Sequence, residues 1–163
     1  MSLRHFGPQD FAHYLQLVGN AEVMAMITER ALPESEARAD FDQLLANNRL
    51  HPLLGSFKVL DATGRFLGLG KLALEAADSP EAELGYMLLP AFWGQGLGSA
   101  IAAELLARAQ QVPTLRRLTA IIDPANTASR RILEKLGFAH HEYRDFDGLP
   151  GEILTRALRP DPC

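Results

Sequence analysis

The feature that most constrains this chain is a set of alternating glycines, Gly94, Gly96 and Gly98, between an apolar run and an amphipathic one. Glycine accepts a positive φ and lets another group approach the backbone closely. The first N–H groups of a helix that follows lack partners within that helix and lie at the positive end of its dipole. The segment therefore predicts either an anion site suited to phosphate or pyrophosphate, or a tight connection that binds nothing.

The loop does not match two common phosphate-binding motifs. A Walker A loop ends in Gly-Lys-Ser/Thr, whereas Gly98 is followed by Ser99. The dinucleotide fingerprint places a third glycine where Ser99 stands, and an acidic residue about 20 positions further on. The stretch 113–118 contains no acid, so a nicotinamide-dependent enzyme is not expected.

The composition excludes several other classes. The 163 residues carry 16 Lys and Arg against 20 Asp and Glu, and we expect a single domain over residues 1–163. A sequence pI of 5.7 argues against nucleic-acid binding. With one cysteine, Cys163, no intrachain disulfide is expected. The histidines lack metal-ligand spacing, so no metal site is expected.

The chain shows no signal for a membrane or for export. No run approaches the roughly 18 consecutive apolar residues of a membrane-spanning helix. The first residues contain no apolar segment of the kind found in signal peptides. We therefore expect no membrane partner and a cytoplasmic location.

Hydrophobic periodicity predicts a mixed succession of helices and strands. The expected helices span 9–18, 34–48, 99–110 and 127–136, and the expected strands span 3–6, 53–60, 65–74, 83–89, 117–122, 138–144 and 152–158. The second and third strands form an antiparallel hairpin. The passage from 83 to 122 reads strand, helix, strand, which implies a crossover between parallel strands. The fold class is α/β (α+β), with a mixed, mainly antiparallel central sheet and helices on both faces.

Two separated motifs carry a family resemblance. The segment Trp93–Gly98 is similar to the pattern Gln/Arg-x-x-Gly-x-Gly/Ala of the GNAT superfamily of acyl-CoA-dependent N-acyltransferases, except that Trp93 stands at the first position. The segment Asn126–Phe138 is similar to Asn-x-x-Ser-x-x-x-x-x-Lys-x-Gly-Phe of its RimJ/RimL branch. The chain thus resembles a GNAT N-acetyltransferase of that branch over most of its length.

The resemblance implies acetyl-CoA as cosubstrate and names its contacts. The pyrophosphate would lie on backbone N–H groups at the start of the helix, and the pantetheine arm would pair with the exposed end of the preceding strand. The implied cofactor-binding residues are Met87, Leu88, Leu89, Gln95, Gly96, Leu97, Gly98, Ser99, Asn126 and Ser129. Plainer roles stay open for some of them: Asn126 is equally a helix N-cap, and Ser129 a serine on a helix surface. A solvated helix face is the favoured interpretation for Arg130 and Arg131.

Acetyl transfer to an amine needs a group that removes a proton and donors that polarise the thioester. The resemblance makes Glu83 the candidate catalytic base; the alternative is an exposed acid beside Glu81. Backbone N–H groups of Met87 or Leu88 are candidates to polarise the carbonyl. Many family members carry a tyrosine where Leu133 stands, so the general acid is unassigned. Tyr86 and Tyr143 are the available hydroxyls.

The acceptor pocket is expected from the two N-terminal helices, the loop between them (residues 20–33) and the turn at residues 145–151. The acids there are Glu22, Glu29, Glu34, Asp145 and Asp147. An acidic lining suits a cationic primary amine such as a protein or peptide N-terminus. Two alternatives stay open: a small amine (aminoglycoside, polyamine or amino acid), or a non-catalytic acyl-CoA-binding module. A homodimer through the last strand pair is also possible.

Overall fold

The computed structural model describes residues 1–160, in which seven strands form one sheet. The strands are Ser2–His5 (β1), Gly55–Leu60 (β2), Phe66–Ala73 (β3), Glu81–Leu88 (β4), Arg117–Ile122 (β5), Ala139–Phe146 (β6) and Leu149–Ala157 (β7). Their order is β1-β2-β3-β4-β5-β7-β6, and only β4 and β5 pair in parallel. The mixed, mainly antiparallel sheet is therefore confirmed. Cys163 lies outside the described residues.

Five helices connect these strands within residues 1–160. They are Phe11–Val18 (α1), Ala21–Met24 (α2), Glu34–Asn48 (α3), Leu97–Gln110 (α4) and Thr127–Lys135 (α5). The bounds of α3 are those predicted. The short α2 was not predicted; Asn20 caps it by accepting from the N–H groups of Glu22 and Val23. No described helix is long and apolar enough to cross a membrane.

The core is divided by the sheet. One apolar cluster packs α4 and α5 against the sheet through residues such as Ile101, Leu105 and Leu133. The other gathers α1 and α3 through Phe11, Leu17 and Phe41. Because each cluster buries the apolar stripe of different helices, the predicted placement of helices on both faces is confirmed.

The sheet opens in its middle. Strands β4 and β5 pair over three residues, Glu81–Glu83 against Arg117–Thr119, and no pairing follows along the rest of β4. Beyond this point β4 stays paired with β3 up to Leu88, while β5 stays paired with β7 up to Ile122. The two halves of the sheet therefore diverge and leave backbone groups of β4 without a neighbouring strand. We call this gap the β4/β5 opening.

Candidate active site

A cavity of about 1050 Å³ occupies the β4/β5 opening. Its walls come from β3, β4 and β5, from the loop before α4, from α5, and from α1 to α3. Small-molecule sites are typically about 300–1,000 Å³, so this space lies at the upper end of that range. Residues 149–151 of the last strand complete the rim, as the sequence predicted for the acceptor side.

Exposed apolar side chains are concentrated around this cavity. Met26, Ile27, Trp93 and Ile121 are each 41–47% exposed, and all four line it. Large apolar side chains that gather on one accessible surface usually mark a binding site. The indole N–H of Trp93 forms a hydrogen bond as well: Nε1 donates to the carbonyl of Leu88 at 2.9 Å. This tryptophan therefore joins the loop to the end of β4.

The backbone of β4 presents alternate residues to the opening. The N–H of Leu89 donates to Leu67, which fixes residues 87 and 89 as facing β3. The peptide groups of Tyr86 and Leu88 therefore face the opening. Of the two N–H groups predicted to polarise a thioester, that of Leu88 is available and that of Met87 is directed into the ladder with β3. The assignment to Met87 is wrong for its N–H, although its side chain lines the cavity.

The glycine loop ends in an uncapped helix. Gly96 is the N-cap of α4 with φ 78° and makes no side-chain cap, so the N–H groups of the first turn lie open. A Cβ at Gly94 or Gly96 would meet nothing within 4 Å, although their positive φ would strain it. A Cβ at Gly98 would lie 3.3 Å from Ile132 and 3.4 Å from Tyr86. Gly98 thus allows α4 to pack closely against β4 and α5.

Two of the predicted cofactor-binding residues lie beside the cavity rather than in its wall. Gln95 turns back, and its Nε2 donates to the carbonyl of Ala91 at 3.3 Å. Leu89 packs into the core under α1 and α3. The other eight, Met87, Leu88, Gly96, Leu97, Gly98, Ser99, Asn126 and Ser129, line the cavity.

The candidate base, Glu83, lies in the cavity wall and has a partner. Its Oε2 is 2.9 Å from Nζ of Lys71, and both side chains are about one-third exposed. Both residues line the cavity. Sequence reasoning missed Lys71. The available signal was a lone charge in the otherwise apolar run of residues 66–74, where a lysine needs either solvent or a partner.

A hydroxyl group of α5 is paired with a hydroxyl group of β4. Oδ1 of Asn126 accepts from the N–H of Ser129, so Asn126 does act as an N-cap while also lining the cavity. The hydroxyl of Tyr86 donates to Oγ of Ser129 at 3.2 Å. Burial raises the pKa of Tyr86, partly offset by the contact with Ser129, so the phenol keeps its proton and remains a donor. Tyr143 is 66% exposed and does not line the cavity.

Arg130 is neither a phosphate ligand nor a solvated cation, so the favoured interpretation is wrong. Its Nη1 donates to Oε2 of the fully buried Glu152 at 2.7 Å, and its Nη2 donates to the carbonyl of Pro124. Nδ1 of His140 lies 2.7 Å from the same Glu152 oxygen. The hydrogen bond from Arg130 holds the pKa of Glu152 below its usual range. This cluster ties α5 to β7 and to the turn before Asn126.

The cavity wall is acidic, but most of its acids are not those predicted for the acceptor. Of the five predicted acids only Glu22 lines the cavity; Glu29, Glu34, Asp145 and Asp147 do not. Asp40, from α3, takes their place in the wall. Burial, together with the charge of Asp40, raises the pKa of Tyr14 to about 12, so this lining phenol is a donor and not a base. Among residues 1–160 no group of acids and histidines is arranged to hold a metal ion.

Comparison with known proteins agrees with this geometry. Residues 1–139 match the family described as the acetyltransferase (GNAT) domain. The chain belongs to the GNAT acetyltransferase family. Membership explains why the glycine loop precedes a helix that packs on a mixed sheet. It agrees with the resemblance that the two motifs carry.

Individual relatives of this GNAT chain are distant. The uncharacterized protein YkkB of Bacillus subtilis is 34% identical over 76 residues, which span 46% of this chain and 44% of YkkB. The match thus covers less than half the length of that curated relative.

Solved structures share the fold over nearly the whole GNAT chain. A spermidine N-acetyltransferase from Vibrio cholerae, solved with CoA and spermine, superposes with a TM-score of 0.78 at 17% identity, covering 96% of this chain and 95% of its own. RimL, a ribosomal-protein N-acetyltransferase solved with CoA, superposes with a TM-score of 0.76 at 17% identity, covering 95% and 92%. At such identities the likeness establishes the fold.

Proposed function

We propose that this GNAT domain transfers an acetyl group from acetyl-CoA to a primary amine by direct attack in a ternary complex. The observation that carries the proposal is the continuity of one cavity from the open N-terminus of α4, along the free backbone of β4, to Glu83. This path offers an anion site, an extended surface for a polar arm, and a carboxylate at its end. These are the parts that a thioester donor and an amine acceptor need.

In this proposal the donor binds mainly to backbone. The pyrophosphate lies on the N–H groups of residues 96–99, since no lysine or arginine of the described chain lines the cavity near the loop. The pantetheine arm pairs with the peptide group of Tyr86, as an added strand would, which leaves the N–H of Leu88 for the thioester carbonyl. Asn126 and Ser129 contact the arm from α5. Structures with CoA among the family's solved members support this donor.

The chemical step then uses three groups of this chain. The acceptor amine attacks in its neutral form, and Glu83 takes the proton that its nitrogen loses as the amide forms, directly or through water. The amine nitrogen attacks the thioester carbon, a C–N bond forms, and the N–H of Leu88 stabilises the developing oxyanion. The C–S bond then breaks, and Tyr86 gives its proton to the leaving thiolate. Holding both reactants side by side supplies much of the rate without a covalent intermediate.

For the acceptor we propose a protein or peptide N-terminus, in keeping with the likeness of Asn126–Phe138 to the RimJ/RimL branch. One observation favours a second candidate, a small polyamine. Glu22, Asp40 and Glu83 line one cavity and would hold several positive charges of the same molecule. The spermine found in the Vibrio cholerae structure supports that candidate.

The first test measures binding of the donor. Acetyl-CoA at about 100 times its Kd should stabilise the fold by roughly 2.7 kcal/mol, which for a chain of this size raises Tm by about 2–4 °C per kcal/mol. NADH and ATP serve as controls and should give no comparable shift. Equal melting curves with and without acetyl-CoA would contradict the proposal.

The second test measures turnover by release of free CoA thiol. The acceptors are a lysine-free peptide with an N-terminal serine, spermine, and kanamycin. E83Q should lower kcat by about 100-fold or more while keeping the acetyl-CoA melting shift. E81Q is the matched control, because Glu81 pairs with Arg117 at 3.2 Å and does not line the cavity. Binding without turnover on any amine would support the non-catalytic binding module instead.

A further inference from the structure

The side chain of Lys71 is a positive charge among the acidic residues of the cavity wall. Among the described residues that line it, Lys71 is the only lysine or arginine. The acidic lining residues are Glu22, Asp40, Glu83 and Asp123. A single cation among acidic residues either neutralises their charge or takes part in the chemistry. The contacts of Lys71 with its neighbours bear on which role it has.

The absence of a side chain at Gly85 makes room for the side chain of Lys71. Lys71 lies directly opposite Gly85 in the pairing of β3 with β4, and Glu83 lies diagonally from it on the same face. A Cβ at position 85 would stand 2.8 Å from Cε of Lys71 and 3.4 Å from its Cγ. The missing side chain of Gly85 is therefore the space that the lysine stem occupies on its way to the carboxylate. The result is the 2.9 Å contact between Nζ and Oε2 of Glu83.

An unpaired carboxylate would be a poor environment for an amine nucleophile. An alkylammonium beside a lone carboxylate is stabilised in its charged form, which cannot attack a thioester. A second positive charge next to that carboxylate removes this preference, because like charges disfavour each other. An ammonium near Glu83 and Lys71 therefore loses its proton more readily than one near Glu83 alone.

We propose that Lys71 is a positioning residue for acetyl transfer: it holds Glu83 in the cavity wall and, through its charge, keeps the bound acceptor amine in its neutral form. The inference rests on the proposed function. The other titratable groups around the same space, from every element that lines it, are Tyr14 (α1), Glu22 (α2), Asp40 (α3), Tyr86 (β4) and Asp123 (after β5). None of these side chain types carries a positive charge in either protonation state, so among the lining residues Lys71 alone supplies one.

The test is the pH profile of kcat for K71M, K71R and wild type. The acceptor is whichever of the serine peptide, spermine or kanamycin wild type acetylates fastest. In K71M the rising limb of kcat should move to higher pH by about one unit, so that kcat falls about tenfold at neutral pH and recovers in alkali. The KM for the acceptor should stay equal or fall, because Glu83 is left free to bind the ammonium. K71R should restore the profile.

Two further variants make the result specific. K135M removes an exposed lysine at the end of α5, outside the cavity, and should leave the profile unchanged. G85A keeps the charge of Lys71 but fills the space of its stem, and should shift the profile in the direction of K71M by a smaller amount.

The outcomes separate the two proposals. A kcat of K71M that is unchanged, or lowered equally at every pH with a raised acceptor KM, overturns the role of Lys71 while wild-type activity still supports acetyl transfer. An inactive wild type that shows no melting shift with acetyl-CoA overturns the proposed function, and this inference with it.

Discussion

At the scale of single residues, Glu152 is a fully buried carboxylate whose partners make stability depend on pH. Arg130 and His140 both bond to it, and its pKa in the folded chain is lowered, chiefly by the hydrogen bond from Arg130. A lowered folded pKa means that the stabilisation is present above the ordinary pKa of glutamate, about 4.3. It is lost as the pH falls through the lower folded value.

The change E152Q should therefore flatten the acid side of the stability curve. Near neutral pH we expect a loss of about 2 kcal/mol, since a charged hydrogen bond is removed. Below the ordinary pKa of glutamate the difference from wild type should shrink. Urea unfolding at several pH values measures this. E75Q, at an exposed site after β3, is the control and should follow wild type. A constant difference at every pH would contradict the expectation.

The glycines of the loop allow a second residue-scale prediction. Gly96 and Gly64 both have a positive φ, and at both a Cβ would meet nothing within 4 Å. G96A and G64A should each lose about 1 kcal/mol of stability through backbone strain alone. Only G96A places a methyl group inside the cavity, so only G96A should reduce the melting shift produced by acetyl-CoA. An equal reduction in G64A would remove Gly96 from the proposed donor site.

Candidate site residues that belong to a local sequence motif could be predicted from the sequence. The glycine spacing predicts an anion site and Asn126 stands where a helix N-cap is expected, whereas Glu83 was a candidate through the family resemblance alone. Asp40 and Lys71 were missed because their neighbours in space come from other elements. The lone charge of Lys71 in an apolar run was visible, but its partner is set by its register with Gly85, and register between strands is not visible in one sequence.

At the scale of elements, the accuracy of the sequence-based prediction depended on how long each element is. The bounds of α3 agree with the prediction because fifteen residues give several turns of apolar periodicity after Pro33. The four-residue α2 is too short to show a period, and only its cap at Asn20 marked it. Helix α5 was predicted as an element, but the role of Arg130 on it was wrong, because its partner Glu152 lies 22 positions away.

The N-terminus of α5 gives the element-scale prediction. N126A removes the acceptor for the N–H of Ser129 and should cost about 1 kcal/mol. N126D keeps a capping oxygen and should restore most of this stability. Thermal melting compares the three chains, and the acetyl-CoA titration of N126D separates the two roles. Normal donor affinity in N126D, at restored stability, would leave Asn126 as a cap and nothing more.

At the scale of the whole molecule, the order of the strands determines which strands lie at the edges of the sheet. Strand β6 is the edge of the sheet beside β7, and most of its residues are exposed, including Tyr143. The sequence predicted the last strand pair but not that β7 would insert between β5 and β6. An edge strand with free backbone groups is a ready surface for another chain. The homodimer stays a prediction, and this edge is the surface on which it would form.

The β4/β5 opening has a consequence for amide hydrogen exchange. In the free protein the amides of Gly85 and Met87 are tied to β3, whereas those of Tyr86 and Leu88 face the opening without a strand beside them. Exchange along β4 should therefore alternate between slow and fast from one residue to the next. A donor that binds as an added strand should slow the even-numbered amides selectively and erase the alternation. Uniform slowing along β4 would instead indicate general rigidification of the sheet.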